Sequence, residues 1–277
     1  MSDPSVKPIV ALPQQLPPGS LNRAVILLRA IAQGSRRGSL LTHLVAKTSL
    51  PRPTIHRVLD MLMELGWVVR DIETARFNLG ANLAALGYCA ISRNPLERIA
   101  SSHLSQLAEE LHQVVYLGVR SGMDMICIGR YESASQIQVG KGHIGLLGPL
   151  GLSPSCMAIL AKLPAADIKH IIQTNLSRYH RIEGFDETGF YAAVDEAIRN
   201  GYSTYDGIVL DRTTSGIGMA ICDDSGYPIA GIGTTYITGW RDEDQFHECL
   251  QHMRNSLRNI ASDLLGYDLV NSESYKA

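Results

Sequence analysis

Apolar side chains recur at helical spacing through the first quarter of the chain. Their positions between residues 21 and 31 predict a helix with Ser20 as its N-cap and an end at Gly34. A shorter apolar run over residues 40–45 predicts a second helix, with Ser39 as its N-cap.

A third helix is predicted between Pro51, which suits a first helical turn, and Gly66, which suits a helix end. Its apolar side chains cluster within a sector of about 120°, so one face is buried and the opposite face is polar. The apolar face holds Ile55, Val58, Leu59, Leu62 and Leu65, and the polar face holds Pro53, His56, Arg57 and Asp60.

The segment "WVVRDIETARFNLG" has the pattern of a two-stranded hairpin. Residues 68–70 and 76–79 are the predicted strands and "DIETA" is the turn between them. The order of elements is therefore helix, helix, short turn, helix and hairpin, which is the order of a winged helix-turn-helix.

Helices and strands alternate in the rest of the chain. Residues 81–92 predict a short apolar helix that joins two domains and packs on a partner. A mostly antiparallel sheet with flanking helices is expected after it, hence an α/β sandwich. The predicted strands are residues 114–120, 125–131, 136–140, 202–206, 217–222 and 229–236, and the predicted helices are residues 95–112, 154–163, 165–174, 187–200 and 242–265.

Charge is divided unevenly between the two halves. Residues 20–80 hold nine Lys/Arg against four Asp/Glu, a net charge of +5, whereas residues 81–277 hold fifteen against twenty-two, a net charge of −7. A basic module joined to an acidic domain is typical of a nucleic-acid binder, although a solvated basic face is the alternative.

Cysteine usage and hydropathy indicate the compartment. The five cysteines are scattered and form no C-x-x-C pair, which favours a reducing cytoplasm. We find no apolar run of membrane-spanning length and no signal peptide, so we expect no membrane association.

The third helix carries hydrogen-bond donors at its N-terminal end. Arg52, Thr54, His56 and Arg57 suit guanine edges and phosphates, and a recognition helix presents such residues to the major groove. The alternative is a basic helix end that arose by chance. We add Ser39 and Arg76 as flanking DNA contacts.

Several segments resemble the IclR family of bacterial transcription regulators. The segment from Ser20 has the family's S-L-x-R-A start, residues 50–59 have its L-P-x-x-T-x-x-R-x-L pattern, and "RFNLG" has its wing end. The resemblance covers residues 21–80 and implies that Arg52, Thr54, His56 and Arg57 lie on the recognition helix. Pro53 departs from the family, in which a small polar residue is usual there.

The downstream half is similar to the family's effector-binding domain, a GAF-like α/β fold. The resemblance implies a homodimer formed through the N-terminal half, assembly into homotetramers and a small metabolite bound in the C-terminal half. The predicted fold class is therefore α+β multidomain. Its parts are a disordered tail (residues 1–19), a winged helix-turn-helix (20–80), a linker helix (81–94), an effector-binding domain (95–270) and a C-terminal tail (271–277).

A glycine-rich segment precedes the helix predicted from Pro154. Gly140, Gly142 and Gly145 spell G-x-G-x-x-G, but "LLGPLGLSP" follows them instead of the helix that a dinucleotide site requires. The N-terminus of a helix favours the binding of an anion. The resemblance implies that the family's effector pocket lies in this region. The alternative is a capped helix in the core that binds no ligand. The predicted effector contacts here are Leu150, Leu152, Ser153, Ser155 and Cys156.

Two Gly-Ile-Gly units lie in neighbouring strand patterns. Glycine in a strand often marks a bulge or the close approach of a ligand, although tight strand packing accounts for it equally well. The resemblance puts these strands on the pocket floor, which makes Asp211, Thr213, Ile217, Met219, Ile232 and Thr234 candidate effector contacts.

Catalytic and metal-binding patterns are missing from the sequence. It has no G-x-S-x-G, H-E-x-x-H or P-loop, and His247 and His252 diverge by about 140° on a helix, so we expect no catalytic residues, metal or cofactor.

We expect a regulator that binds double-stranded operator DNA and responds to a small organic acid, aromatic acids being what such regulators often sense. The alternative is a metabolite-binding enzyme or sensor with a basic accessory domain.

Overall fold

The computed structural model describes residues 19–35, 37–92, 95–134, 139–140, 142–206, 213–239 and 242–274. The chain divides into two compact units, one with the described residues up to 92 and the other with those from 95 onward. Each unit has its own hydrophobic core.

The first unit starts with the three predicted helices, α1 (Ser20–Ala32), α2 (Leu41–Thr48) and α3 (Arg52–Glu64). Both predicted N-caps of α1 and α2 are wrong. Gly19 and Leu40 occupy the N-cap positions and neither gives a side-chain cap. The core between the helices contains Leu27, Ile31, Leu44, Ile55, Val58, Leu59 and Leu62.

The predicted hairpin follows as β1 (Val68–Arg70) and β2 (Phe77–Leu79), which pair antiparallel. Val68 and Phe77 point into the helical core. A bridge between Ser39 and Phe77 ties the hairpin to the segment that precedes α2. The unit is therefore a winged helix-turn-helix whose wing is held against the helices, and it ends in α4 (Ala81–Ser92).

The second unit is built on one antiparallel sheet. Its strands are β3 (Val114–Ser121), β4 (Asp124–Tyr131), β5 (Leu147–Pro149), β6 (Ser203–Asp206), β7 (Thr214–Cys222) and β8 (Pro228–Ile237). They lie in the order β5-β4-β3-β8-β7-β6, and every described pair of neighbours is antiparallel.

Helices cover both faces of this sheet. Alternate strand residues on one face pack with α5 (Pro95–Leu111) and α9 (Glu243–Ser274) into one core. The opposite face packs on α6 (Pro154–Lys162), and behind it α7 (Ala165–Tyr179) and α8 (Glu187–Asn200) complete a second core. The expected α/β sandwich with an antiparallel sheet is thereby confirmed.

Several predicted bounds need correction. Val139 and Gly140 are not in a strand, and residues 136–138 of that predicted strand lie outside the described residues. The edge strand is instead β5, which is only three residues long and gives little periodic signal. Helices α7 and α9 are longer than predicted. Polar residues at 173–175 interrupt the apolar run of α7, but Leu176 and Tyr179 continue its buried face, and α9 extends to Ser274.

Candidate nucleic-acid interface and effector site

The polar face of α3 is open to solvent. Arg52, His56 and Arg57 are exposed and Thr54 is half-buried. The helix packs through its apolar face on α1, α2 and the wing, so the helical core fixes the direction of these four side chains. Pro51 is the N-cap and Pro53 falls in the first turn, where a missing N–H removes no helical hydrogen bond.

The other two predicted DNA contacts have structural roles. Ser39 is buried, and its backbone N–H and carbonyl bond the carbonyl and N–H of Phe77 at 2.9 Å each. Because a buried side chain does not reach a phosphate, the predicted contact at Ser39 is wrong. The guanidinium of Arg76 donates a hydrogen bond of 2.9 Å to the carbonyl oxygen of Gly38 and is half-buried.

The start of α6 is capped and buried. Ser153 is the N-cap and its hydroxyl accepts from the backbone N–H of Cys156 at 3.4 Å. Pro154 follows at the first helical position, and the hydroxyl of Ser155 lies 3.3 Å from that of Ser153 and donates to the sulfur of Met125 at 3.6 Å. The predicted helix start therefore exists, and its first turn is packed inside the unit.

Glycines in β7 and β8 bring the sheet against this turn. A Cβ atom at Gly216 would lie 2.5 Å from the Pro154 ring, and one at Gly218 would overlap the Pro154 carbonyl. A Cβ atom at Gly231 would lie 2.5 Å from the Ser155 carbonyl oxygen, and one at Gly233 would lie 2.9 Å from its nitrogen. The two Gly-Ile-Gly units thus permit the close approach of a helix.

The residues that alternate with these glycines point to the opposite face of the sheet. Ile217, Met219 and Ile232 belong to the core with α5 and α9. The hydroxyl of Thr234 is fully buried and donates to Gln113 at 2.7 Å. The prediction that these four line one pocket with the start of α6 is wrong, because residues i and i+1 of a strand face opposite ways.

Three of the remaining predicted effector contacts lie together in a hydrophobic core. Leu150, Leu152 and Cys156 are buried in the core with α7 and α8, where the carbonyl of Leu150 accepts a 2.5 Å hydrogen bond from Tyr179. Thr213 is exposed just before β7. Asp211 lies outside the described residues.

Tyr116 on β3 is a candidate that the sequence analysis did not identify. It pairs with Gly233, so its side chain lies on the same sheet face as the start of α6. Its hydroxyl is buried and has no hydrogen-bond partner among the described residues. A buried hydroxyl without a partner is energetically costly and suggests a missing acceptor.

Polar groups surround Tyr116. Gly140 adopts φ = 141°, and a Cβ atom there would lie 2.8 Å from the hydroxyl oxygen of Thr235 and would overlap the hydroxyl of Tyr116. The guanidinium carbon of Arg130 is 6.0 Å from the centre of the Tyr116 ring, and Arg130 also pairs with Glu132. The hydroxyl of Thr235 donates a 2.7 Å hydrogen bond to the carbonyl oxygen of Val139. The guanidinium of Arg130 and the hydroxyl of Tyr116 are therefore the groups on this side of the sheet that suit an anion.

The two buried thiols near this face are protonated at neutral pH. Burial raises the pKa of Cys127 to about 11 and that of Cys156 to about 11. Since the thiolate is the nucleophile and the metal ligand, neither cysteine is prepared for covalent chemistry. Within the described ranges, three or more His, Cys, Asp or Glu side chains nowhere gather as a set of metal ligands.

In the described part of the chain, no helix combines the length and the apolar composition that a transmembrane helix needs.

Comparison with known families assigns both units. The model of the IclR helix-turn-helix domain matches residues 20–71, and that of the bacterial transcriptional regulator IclR C-terminal domain matches residues 88–262. The two units are thus those of a transcription regulator with a DNA-binding and an effector-binding domain. The chain belongs to the IclR family, which confirms the resemblance seen in the sequence.

Characterised relatives are regulators as well. The chain is 26% identical over 228 residues to the regulator KipR of Bacillus subtilis, covering 82% of this chain and 90% of that protein. It is 25% identical to the regulator KdgR of Dickeya chrysanthemi, covering 85% and 77%. It is 24% identical to the repressor AllR of Escherichia coli K12, covering 88% and 90%. These are transcription regulators and not enzymes, as predicted.

Solved structures share the fold. An IclR regulator from Alicyclobacillus acidocaldarius superposes with a TM-score of 0.74 at 19% identity, covering 90% of this chain and 98% of that one. An IclR homologue from Microbacterium hydrocarbonoxydans, crystallised with 4-hydroxybenzoate, superposes with a TM-score of 0.69 at 20% identity, covering 90% and 100%.

Proposed function

We propose that this regulator binds a specific operator through the N-terminal half of α3. The observation that carries the proposal is the exposed set Arg52, His56 and Arg57, with Thr54 beside it, on a helix whose opposite face is locked into the helical core. Such a helix enters the major groove with donors directed at guanine edges and phosphates.

A binding assay on the DNA that flanks the protein's own gene tests this proposal. We expect the protein to bind that DNA at least about 1,000-fold more tightly than random DNA at physiological salt. Arg57→Ala should abolish specific binding, whereas Arg199→Ala, an exposed arginine of α8, should not. Equal affinity for both DNAs would refute operator binding, and loss of folding in Arg57→Ala would indicate a structural role.

We propose a small organic acid as the effector, with aromatic acids as the favoured class. The unpartnered hydroxyl of Tyr116 and the guanidinium of Arg130 support an anion on this sheet face. The 4-hydroxybenzoate in the Microbacterium homologue supports an aromatic acid. A thermal-shift screen with matched aromatic and aliphatic acids tests the proposal, which fails if neither class raises the melting temperature.

The acid would act by shifting a population between two states. A ligand that binds one arrangement of the regulator more tightly than the other changes the DNA affinity by at most the ratio of its affinities for the two arrangements. Measuring operator affinity with and without the bound acid tests this step. An unchanged DNA affinity at saturating acid would refute regulation by that acid.

We propose a homodimer formed through the N-terminal half, which assembles further into a homotetramer and works in the cytoplasm, where its DNA is. Helix α4 carries no charged residue, yet Leu86 is 55% exposed and Tyr88 is 74% exposed. An apolar helix of this kind needs a partner surface. The double change Leu86→Glu and Tyr88→Glu should yield smaller particles in light scattering, whereas Ile72→Glu on the wing should not.

A further inference from the structure

The recognition helix carries one acidic side chain in the middle of its exposed face. Asp60 is exposed and lies eight residues after Arg52, the first residue of α3. Pro53, His56 and Arg57 are exposed on the same side. At about 100° per residue, these four positions span a sector of about 100°.

The spacing of this face is that of a groove-reading helix. Pro53, His56, Arg57 and Asp60 are separated by three, one and three residues. The residues with which a homeodomain helix reads the major groove have the same spacing, because it places four side chains on the side that faces the DNA. A helix that presents His56 and Arg57 to base edges therefore presents Asp60 as well.

Asp60 has no evident structural purpose. It forms no hydrogen bond or ion pair with any described residue, although His56 and Arg57 lie within one helical turn. It sits in the helix interior, so it cannot serve as an N-cap, and aspartate is among the weaker helix formers. On a surface that approaches phosphates, its negative charge also opposes binding.

We propose that Asp60 is a specificity-determining residue that accepts a hydrogen bond from a cytosine N4 amino group in each half-site. Among the donors on base edges, this amino group is the one that aspartate and glutamate contact in the major groove. The inference rests on the proposed operator binding by α3. The hydrogen-bond donors of α3 contact phosphates as well as bases. Asp60 adds a residue that discriminates between bases.

Helix geometry gives the position of this base pair. Asp60 lies about 4.5 Å along the helix axis from Arg57 and about 6 Å from His56. Base pairs are stacked about 3.4 Å apart. The cytosine should therefore lie one to two base pairs from the pair that Arg57 or His56 contacts.

Selection of bound duplexes from a random pool, with the full-length protein, tests the inference. We expect the wild type to require cytosine at one position of each half-site, and Asp60→Asn to relax or change that position alone. Replacing that cytosine should weaken wild-type binding by about 5- to 150-fold and leave Asp60→Asn nearly unaffected. Glu64→Gln removes the same charge one turn further along α3 and should leave every base preference unchanged.

The outcomes separate this inference from operator binding itself. If the wild type selects no sequence, operator binding fails. If the wild type selects a sequence and Asp60→Asn, shown to be folded by its circular dichroism and melting temperature, selects the same one, the role of Asp60 is overturned. A preference lost equally in Glu64→Gln would show a general charge effect and would overturn it too.

Discussion

The guanidinium of Arg76 donates a hydrogen bond of 2.9 Å to the carbonyl oxygen of Gly38, across 38 residues of sequence. It joins the wing to the turn before α2, beside the bridge between Ser39 and Phe77. A residue that the sequence suggested as a flanking DNA contact thus forms a hydrogen bond within the DNA-binding unit.

Replacing Arg76 by alanine should therefore lower stability. We expect the free energy of unfolding to fall by about 1 kcal/mol, since the lost hydrogen bond is half-buried. Urea denaturation measures this change, with the exposed Arg37→Ala as a control that should remain as stable as the wild type. Arg76→Ala could instead keep full stability and reduce the slope of log DNA affinity against log salt concentration by about 1, the value of one phosphate contact. That result would show that Arg76 contacts DNA.

The contact between α6 and the sheet should tolerate no side chain at Gly218. A methyl group there would overlap the Pro154 carbonyl, which already accepts a 2.6 Å hydrogen bond from the hydroxyl of Ser203. We expect Gly218→Ala to reduce the free energy of unfolding by about 1–3 kcal/mol.

Gly148 in β5 offers a matched control for that substitution. A Cβ atom there meets no atom within 4 Å. We expect Gly148→Ala to change stability by less than about 0.5 kcal/mol in the same denaturation experiment. Equal effects of the two substitutions would contradict the packing described for α6.

Tyr116→Phe removes a single oxygen atom from the proposed effector site. Since that hydroxyl has no partner among the described residues, the ligand-free variant should be as stable as the wild type or more stable. The rise in melting temperature caused by a bound acid should shrink or vanish, because the hydrogen bond donor is gone. Thermal-shift titration with 4-hydroxybenzoate as the probe measures both quantities, and an undiminished shift would exclude Tyr116 from the site.

The buried thiol of Cys156 should make stability depend on pH in the alkaline range. Burial raises its pKa from 9.0 to about 11, so the unfolded chain loses this proton before the folded one does. Its contribution is fully present below pH 9 and is lost as pH rises toward 11, up to about 2–3 kcal/mol. Denaturation curves between pH 8 and 11 should show a shallower decline for Cys156→Ala, whereas parallel curves would contradict the prediction.

The local pattern of apolar and polar residues was sufficient to predict the helices and most of the strands. The apolar stripe of α3 is buried from Ile55 to Leu62 as its periodicity predicted, but Leu65, the last residue predicted on that face, is the C-cap and is 55% exposed. The order of helices and hairpin pointed to the winged helix-turn-helix. Short elements were harder, because the three residues of β5 carry no periodic signal. The ends of α7 and α9 were also missed. In α7, the polar residues at 173–175 interrupt the apolar run before Leu176 and Tyr179 resume it.

The candidate effector site depends on facts that local pattern does not contain. The sequence predicted contacts at the start of α6 and in the strands of the two Gly-Ile-Gly units, and the structure brings that helix start against these glycines. The sequence also grouped Ile217 and Thr234 with them. Strand register decides this point, since it pairs Tyr116 with Gly233 and turns Ile217 and Thr234 toward α5 and α9.

By itself, the sequence determined the family, the two-domain order and the basic recognition helix, because these depend on motifs and on periodicity within single elements. Only the tertiary structure decided that Ser39 is buried, that Arg76 binds Gly38 and that Tyr116 carries an unpartnered hydroxyl. Each of these facts arises where residues distant in the chain meet. Burial and hydrogen bonding at such places depend on how the elements pack, which a local pattern does not record.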